Sequence, residues 1–224
     1  VFTGTGRAFC AGDDLKAYHG ADLPGEALVP PIPPGHDNAL GTYNGLRTIS
    51  QQLNTTIRNL DKLTVAAING VAIQTGFSLA LSCDFRIAAD TARMGSATLR
   101  FGLLPDEGGQ YLLVQQMGVS RTLEFLMKKR IVDAAEALEI GLVARVVAPD
   151  HLFETAATLA EELASGAPLA QRFIKVGLDR STTMTFEQAI QFEDQAQAVL
   201  LASQDFAEGV RAFLAKERPE FEGR

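Results

Sequence analysis

Two short stretches carry residue types that could hold a developing negative charge: "AFCAGDDL", residues 8–15, and "NGVAIQTGF", residues 69–77. Each puts small residues where a strand gives way to a turn, so backbone N–H groups can approach a ligand without side-chain obstruction. Two such loops facing each other would make an oxyanion hole, a pair of donors aimed at an oxygen that gains charge during reaction. The longer run "VAIQTGFSLALSCD", residues 71–84, has no carboxylate before Asp84. Proton transfer must therefore come from another part of the chain.

Other chemistry-bearing patterns fall short. "GTGRAF" lacks the third glycine of a dinucleotide fingerprint, with Phe9 in its place. "GFSLA" ends in Ala80 where a nucleophile elbow needs glycine, and the only histidine after Ser78 is His151, at the start of an expected surface helix. A small polar residue at a helix start is the simpler reading of Ser78. Cys10 and Cys83 lie in apolar surroundings and read as small buried hydrophobes rather than a disulfide. His19, His36 and His151 stand far apart without ligand spacing, so no metal site is expected.

What must position the two loops is a layered core. The 224 residues are 46% hydrophobic and 21% charged, enough for one domain with a large core or a core with an appended helical part. A net charge of −7 argues against a protein whose main task is binding phosphate backbones. No apolar stretch approaches the roughly 20 residues that span a bilayer, and nothing resembles a signal peptide, so a cytoplasmic location is the default expectation. The chain opens at Val1 with "VFTGTG", as though part-way along a strand, and reads as a fragment.

"LTVAAIN" reads as a buried strand, "GFSLALSC" as a short helix and "DFRIAA" as a strand again, an order that implies α/β layering. Leu46, Ile49, Leu53, Ile57 and Leu60 recur at helical spacing after Tyr43 and predict one amphipathic helix. "GGQYLLVQQMG" and "SRTLEFLMKK" predict two helices separated at Gly118. Asp133 is the expected N-cap of "AAEALEI", with Gly141 its stop before a strand "LVARVV". Residues 20–41, with five prolines and few large apolar residues, predict a flexible flap. Beyond Pro149 the pattern is helical throughout, with one stripe at Leu152, Ala156, Leu159 and Leu163 and another at Phe206, Val210, Phe213 and Leu214.

"GRAFCAGDDL", "VAAINGVAIQTGFSLALSCDFRIAA", "FGLLPDEGG", "DAAEALEIGLVARVV" and "DFAEGVRAFLAKERPEF" resemble, in order and spacing, the enoyl-CoA hydratase/isomerase family of the crotonase superfamily. The resemblance runs along essentially the whole chain. It implies the α/β crotonase (ClpP-like) fold: stacked β-β-α turns over residues 1–148, then a helical region over 149–224 that builds trimers and often hexamers. It also implies a coenzyme A thioester substrate and no separate cofactor. The thioester oxygen would be held by the N–H groups of Asp13 and Thr75. Thr75 departs from the glycine usual there; it keeps the donor, while its β-branched side chain restricts the backbone. By the same carry-over Ala11, Asp13, Asp14 and Leu15 would contact coenzyme A with their backbone, and Lys16 would lie near its phosphates or serve as a solvated surface charge.

Family hydratases add water with two glutamates, whose positions here hold Ser78 and Thr98. Neither titrates near neutrality, so the resemblance does not extend to efficient hydration. Asp106, in "LLPDEGG", stands where some family isomerases place an aspartate base, with Glu107 in reserve. An aspartate before a helix is equally a good N-cap. The expected activity is double-bond isomerisation of an enoyl-CoA. Its rivals are a hydratase-like, hydrolytic or C–C bond-cleaving member of the superfamily, and a catalytically silent acyl-CoA-binding protein.

Overall fold

Short apolar strands alternate with glycine turns, and in the computed structural model, which describes residues 1–14, 35 and 38–224, the first six strands go alternately to two sheets. Strands β1 (Phe2–Thr3), β3 (Val65–Ile68), β5 (Phe85–Ala89) and β8 (Arg145–Val147) form one all-parallel sheet in that order. Strands β2 (Ala8–Cys10), β4 (Val71–Ile73), β6 (Arg93–Gly95) and β7 (Ile131–Asp133) form the other, with β7 antiparallel to β6. The pairs β1 and β2, β3 and β4, and β5 and β6 thus each give one strand to each sheet before a helix, which is the stacked β-β-α architecture that the resemblance implies; β7 and β8 are instead separated by the helix Ala134–Glu139.

The chain divides into two compact units, Val1–Asn59 with Thr64–Ala156, and Leu60–Leu63 with Ala157–Arg224. The first holds both sheets and the core. All of β3 is buried, as a strand covered on both faces should be. Ile68, Phe77, Met94, Leu113, Phe125 and Leu142 pack around the small residues Ala66, Ala72, Ala80 and Ala88. Asp84 accepts from the N–H and the hydroxyl of Thr64 at 2.7 and 2.8 Å, which ties the start of β5 to that of β3. Cys83 is buried and Cys10 half-buried, both as free thiols.

The local signals hold with two exceptions, one in a helix and one in a strand. Helices α4 (Gly109–Met117) and α5 (Val119–Met127) meet at Gly118, whose φ is 76°. Asp133 caps α6 (Ala134–Glu139) by accepting from Glu136 N–H at 2.9 Å. The single amphipathic helix expected from Tyr43 to Leu60 is instead α1 (Ala39–Gly45), a π-helical turn (Leu46–Ser50) and α2 (Gln51–Arg58). The wider turn rotates the face that meets the core: Asn54 and Ile57 are buried, whereas Ile49 and Leu53 are exposed. The strand expected over 142–147 pairs only from Arg145, because Leu142 and Val143 close the preceding turn onto the Ala137 carbonyl.

Most of the flap expected at 20–41 lies outside the described residues, as do Leu15 and Lys16. Its last residues are already helical, with Asn38 accepting from Gly41 N–H to cap α1.

Helix α7 (Leu152–Ala164) begins in the first unit and ends in the second, which continues with α8 (Pro168–Ser181), α9 (Phe186–Leu201) and α10 (Gln204–Ala215). Thr185 and Gln188 form a capping box at the start of α9. Asp205 is buried because its carboxylate accepts from the N–H groups of Glu222 and Gly223 at 2.8 and 2.9 Å, so the chain end is tied to the start of α10. Of the two apolar stripes, the first buries Leu152 and Ala156, but Phe206, Val210, Phe213 and Leu214 are all exposed and line a cavity of about 520 Å³.

Candidate active site

Three turns of the first unit meet at the N-terminus of α3 (Thr75–Ser82). The chain enters this helix through Gln74, which has φ 56° and ψ −119°, a conformation that non-glycine residues seldom adopt and that costs about 1–3 kcal/mol. Its surroundings hold it there: the side-chain oxygen accepts from Ser96 Oγ at 3.2 Å and from Ala97 N–H at 3.1 Å, and its own N–H donates to Gly95 O at 3.2 Å. The carbonyl of Gln74 accepts from both Phe77 and Ser78 N–H at 3.0 Å. The N–H groups of Thr75 and Gly76 precede those bonds, at the open end of the helix where donors lack intrahelical partners.

The loop after β2 lies directly against this helix start. A Cβ on Gly76 would stand 2.1 Å from the Cys10 carbonyl oxygen, and one on Gly12 would stand 3.1 Å from Ile73 O. Glycine is required at position 12 also by its φ of 88°. The two loops singled out in the sequence therefore face each other, and Thr75 joins them through its side chain as well as its backbone. Thr75 Oγ1 is 3.1 Å from Asp13 Oδ1 and 2.7 Å from Glu107 Oε1.

The third turn carries the carboxyl pair. Helix α2 fixes it: Gln51 Nε2 donates to Asp106 O at 3.0 Å and Asn54 Nδ2 to Glu107 O at 3.1 Å. Helix α4 then begins at Gly109, with Gly108 as N-cap at φ 78° and no side-chain cap, so Asp106 is not the cap of this helix. Asp106 is half-buried and Glu107 only 5% exposed. Burial raises the Glu107 carboxyl to about 7; the Thr75 hydroxyl opposes the rise, while the charge of Asp106, a hydrogen bond with its side chain and the charge of Asp13 add to it. A buried carboxyl that titrates near neutrality beside a polarised helix end can give and take protons.

The structure thus brings Asp13, Thr75, Asp106 and Glu107 together. Ala11 and Asp14 lie on the same loop as Asp13, Ala11 exposed and Asp14 half-buried. Ser78 is buried, and a Cβ on Gly109 would come within 2.8 Å of its hydroxyl, so α4 packs tightly on it. Thr98 stands 3.3 Å from Ser96 Oγ, which in turn reaches Gln74. Among the described residues no group of His, Cys, Asp and Glu is arranged to hold a metal ion.

Sequence reasoning missed Gln74, Gln51 and Asn54, the residues that set the helix entry and the carboxyl turn. The one local signal for Asn54 is a polar residue on the helix face that Ile57 shares; no residue type around Gln74 in "VAIQTG" marks it.

Residues 35–224 match the family described as enoyl-CoA hydratase/isomerase. The chain is 34% identical over 227 residues to 1,2-epoxyphenylacetyl-CoA isomerase of Escherichia coli K12, across 100% of this chain and 80% of that protein. It is 32% identical over 224 residues to 2,3-dehydroadipyl-CoA hydratase of the same strain, with the same coverage. The crystal structure of an enoyl-CoA hydratase from Bacillus anthracis superposes with a TM-score of 0.86 at 32% identity, covering 99% of this chain and 80% of that one.

Proposed function

The chain belongs to the enoyl-CoA hydratase/isomerase family, and within it we propose that this member moves the double bond of an enoyl-CoA thioester rather than hydrating it. The observation that supports this is the placement of carboxylates. Ser78 is buried under α4 and Thr98 is a hydroxyl, whereas Asp106 and Glu107 stand together beside the start of α3.

In this reading the N–H groups of Asp13 and Thr75 receive the thioester oxygen. Asp106 takes a proton from the carbon next to the thioester of a 3-enoyl-CoA, and the negative charge that forms is delocalised to that oxygen. The same carboxyl then returns the proton to the far end of the dienolate, giving the 2-enoyl-CoA with no net gain of water or protons. Coenzyme A enters as part of the substrate, with the backbone of Ala11, Asp13 and Asp14 along it. Removing one donor of such a hole costs about 10²–10³ in rate. In the same reading the helical unit assembles the chain as a trimer or hexamer, which the family resemblance supports.

Conversion of a 3-enoyl-CoA to its 2-enoyl isomer, followed by the absorbance of the conjugated thioester, tests the reaction. Asp106→Asn should reduce kcat about 10²–10⁴-fold. If the enzyme turns over no enoyl-CoA isomer, and Asp106→Asn leaves whatever activity it has unchanged, the proposal is wrong. Release of free coenzyme A, read with a thiol reagent, would mark a hydrolase instead.

A further inference from the structure

Thr75 Oγ1 has one hydrogen, and both neighbouring side-chain atoms are carboxyl oxygens. The Glu107 end of this pair of contacts is buried and the Asp13 end is exposed. With both carboxyls ionised, the two contacts share the single hydroxyl hydrogen; one proton bound to Glu107 fills the second. Without that proton one contact is left as two acceptors face to face. The protonation state of Glu107 therefore decides whether Thr75 can donate to Asp13 while it is held by Glu107.

We propose that Thr75 is a positioning residue for the oxyanion hole and that Glu107 holds the proton on which it depends. A chain from Asp13 through Thr75 to Glu107 keeps the loop donor against the helix donor while it carries that proton, and loosens when the proton leaves. The proposal rests on reading this pocket as the thioester-oxygen site.

Among the described residues, the charges facing Glu107 favour its proton and the Thr75 hydroxyl opposes it. The charges acting on it are those of Asp106, on its own turn, and Asp13, on the loop after β2, both acids. From α3 it meets the Thr75 hydroxyl, and from α2 the neutral amides of Asn54 and Gln51 hold its turn. The basic residue at the end of α2, Arg58, lies over the ring of Tyr111 on α4, 5.7 Å from its centre. Independent of any titration, Gly76 stands so close to Cys10 and Gly12 to Ile73 that a Cβ on either would crowd its neighbour's backbone, so the two loops are in contact beside Thr75.

Binding of butyryl-CoA by calorimetry between pH 6 and pH 8.5 tests the proposal without requiring turnover. Coenzyme A, which lacks the thioester oxygen, is titrated in parallel to remove the ionisation of its own phosphates. Because the carboxyl titrates at about 7, affinity for butyryl-CoA relative to coenzyme A should fall roughly ten- to thirtyfold across this range as the competent fraction shrinks. Glu107→Gln, whose amide donates at every pH, should flatten the profile. Thr75→Ser should keep it, and Thr75→Val should bind weakly throughout with KM raised more than kcat lowered. A native profile that is already flat, one shared by Glu107→Gln, or one retained in Thr75→Val overturns the proposal. Loss of isomerase activity with this binding profile intact would sink only the isomerase reading; full isomerase activity with a flat profile would sink only the role of Thr75 and Glu107.

Discussion

At the scale of single residues the decisive group is Glu107, because its burial makes its charge a matter of pH. Its pKa of about 7 lies above the ordinary 4.5 of an unfolded chain. Between those values the folded chain holds a proton that the unfolded chain has lost, so this group's contribution to stability falls as pH rises from about 4.5 to 7 and is constant above. The loss amounts to at most about 3 kcal/mol. Other acids pull the other way: half-buried Glu208 is held down at about 2 by hydrogen bonds from Arg211 and from the Glu220 N–H, so it favours the folded state as pH rises through the acid range. Such terms are common to the native chain and Glu107→Gln and cancel in their difference. The urea midpoint of the native protein should therefore drop relative to that of Glu107→Gln between pH 4.5 and 7. A difference that stays constant across this range would show that Glu107 is ionised throughout.

At the scale of elements, the site depends on how closely the β2 loop and α3 approach. Gly76→Ala places a methyl 2.1 Å from the Cys10 carbonyl, a backbone atom that cannot swing aside. We expect it to cost about 3 kcal/mol or more of stability, at the upper end of ordinary single substitutions. Because the loop must retreat, acyl-CoA binding should be lost even at temperatures where the protein remains folded; an alanine variant with native affinity would contradict the close approach.

Much of this level is readable from local pattern: β3, α3, β5, the Gly118 break and the Asp133 cap follow from short runs and single punctuating residues. The failures are equally physical. The π-helical turn at Leu46–Ser50 shifts the face of the following helix, which spacing alone does not reveal. The Thr75 hydroxyl has partners 62 and 32 residues away, so the sequence disclosed its N–H but not its side-chain role. Asp106 stood out over Glu107 because it matches a family position, yet burial by the turn that Asn54 holds is what sets the two carboxyls apart, and burial comes from tertiary packing.

At the scale of the whole molecule, the helical unit exposes more apolar surface than a lone chain keeps without cause. Phe213 is 82% exposed, Leu214 and Phe186 are each 75%, and Leu178 is 66%. Phe213 and Leu214 recur with Phe206 and Val210 along α10 and edge one shared cavity, so they form a contiguous patch rather than scattered residues. Patches of this kind on soluble proteins mark surfaces that are covered in the working state. We propose, from the family resemblance, that the cover is further copies of the same chain. In such an assembly a net charge of −7 on each copy is repulsive at long range, so short-range apolar burial rather than ion pairs would drive it. Sedimentation equilibrium should accordingly give a mass near three or six times that of the 24.0 kDa chain, little changed between low and high salt. Phe213→Glu combined with Leu214→Glu should shift the protein toward single chains without unfolding the first unit. Sedimentation of the native protein as a single chain at micromolar concentration would remove the trimer from the account and leave the exposed stripe of α10 facing some other partner.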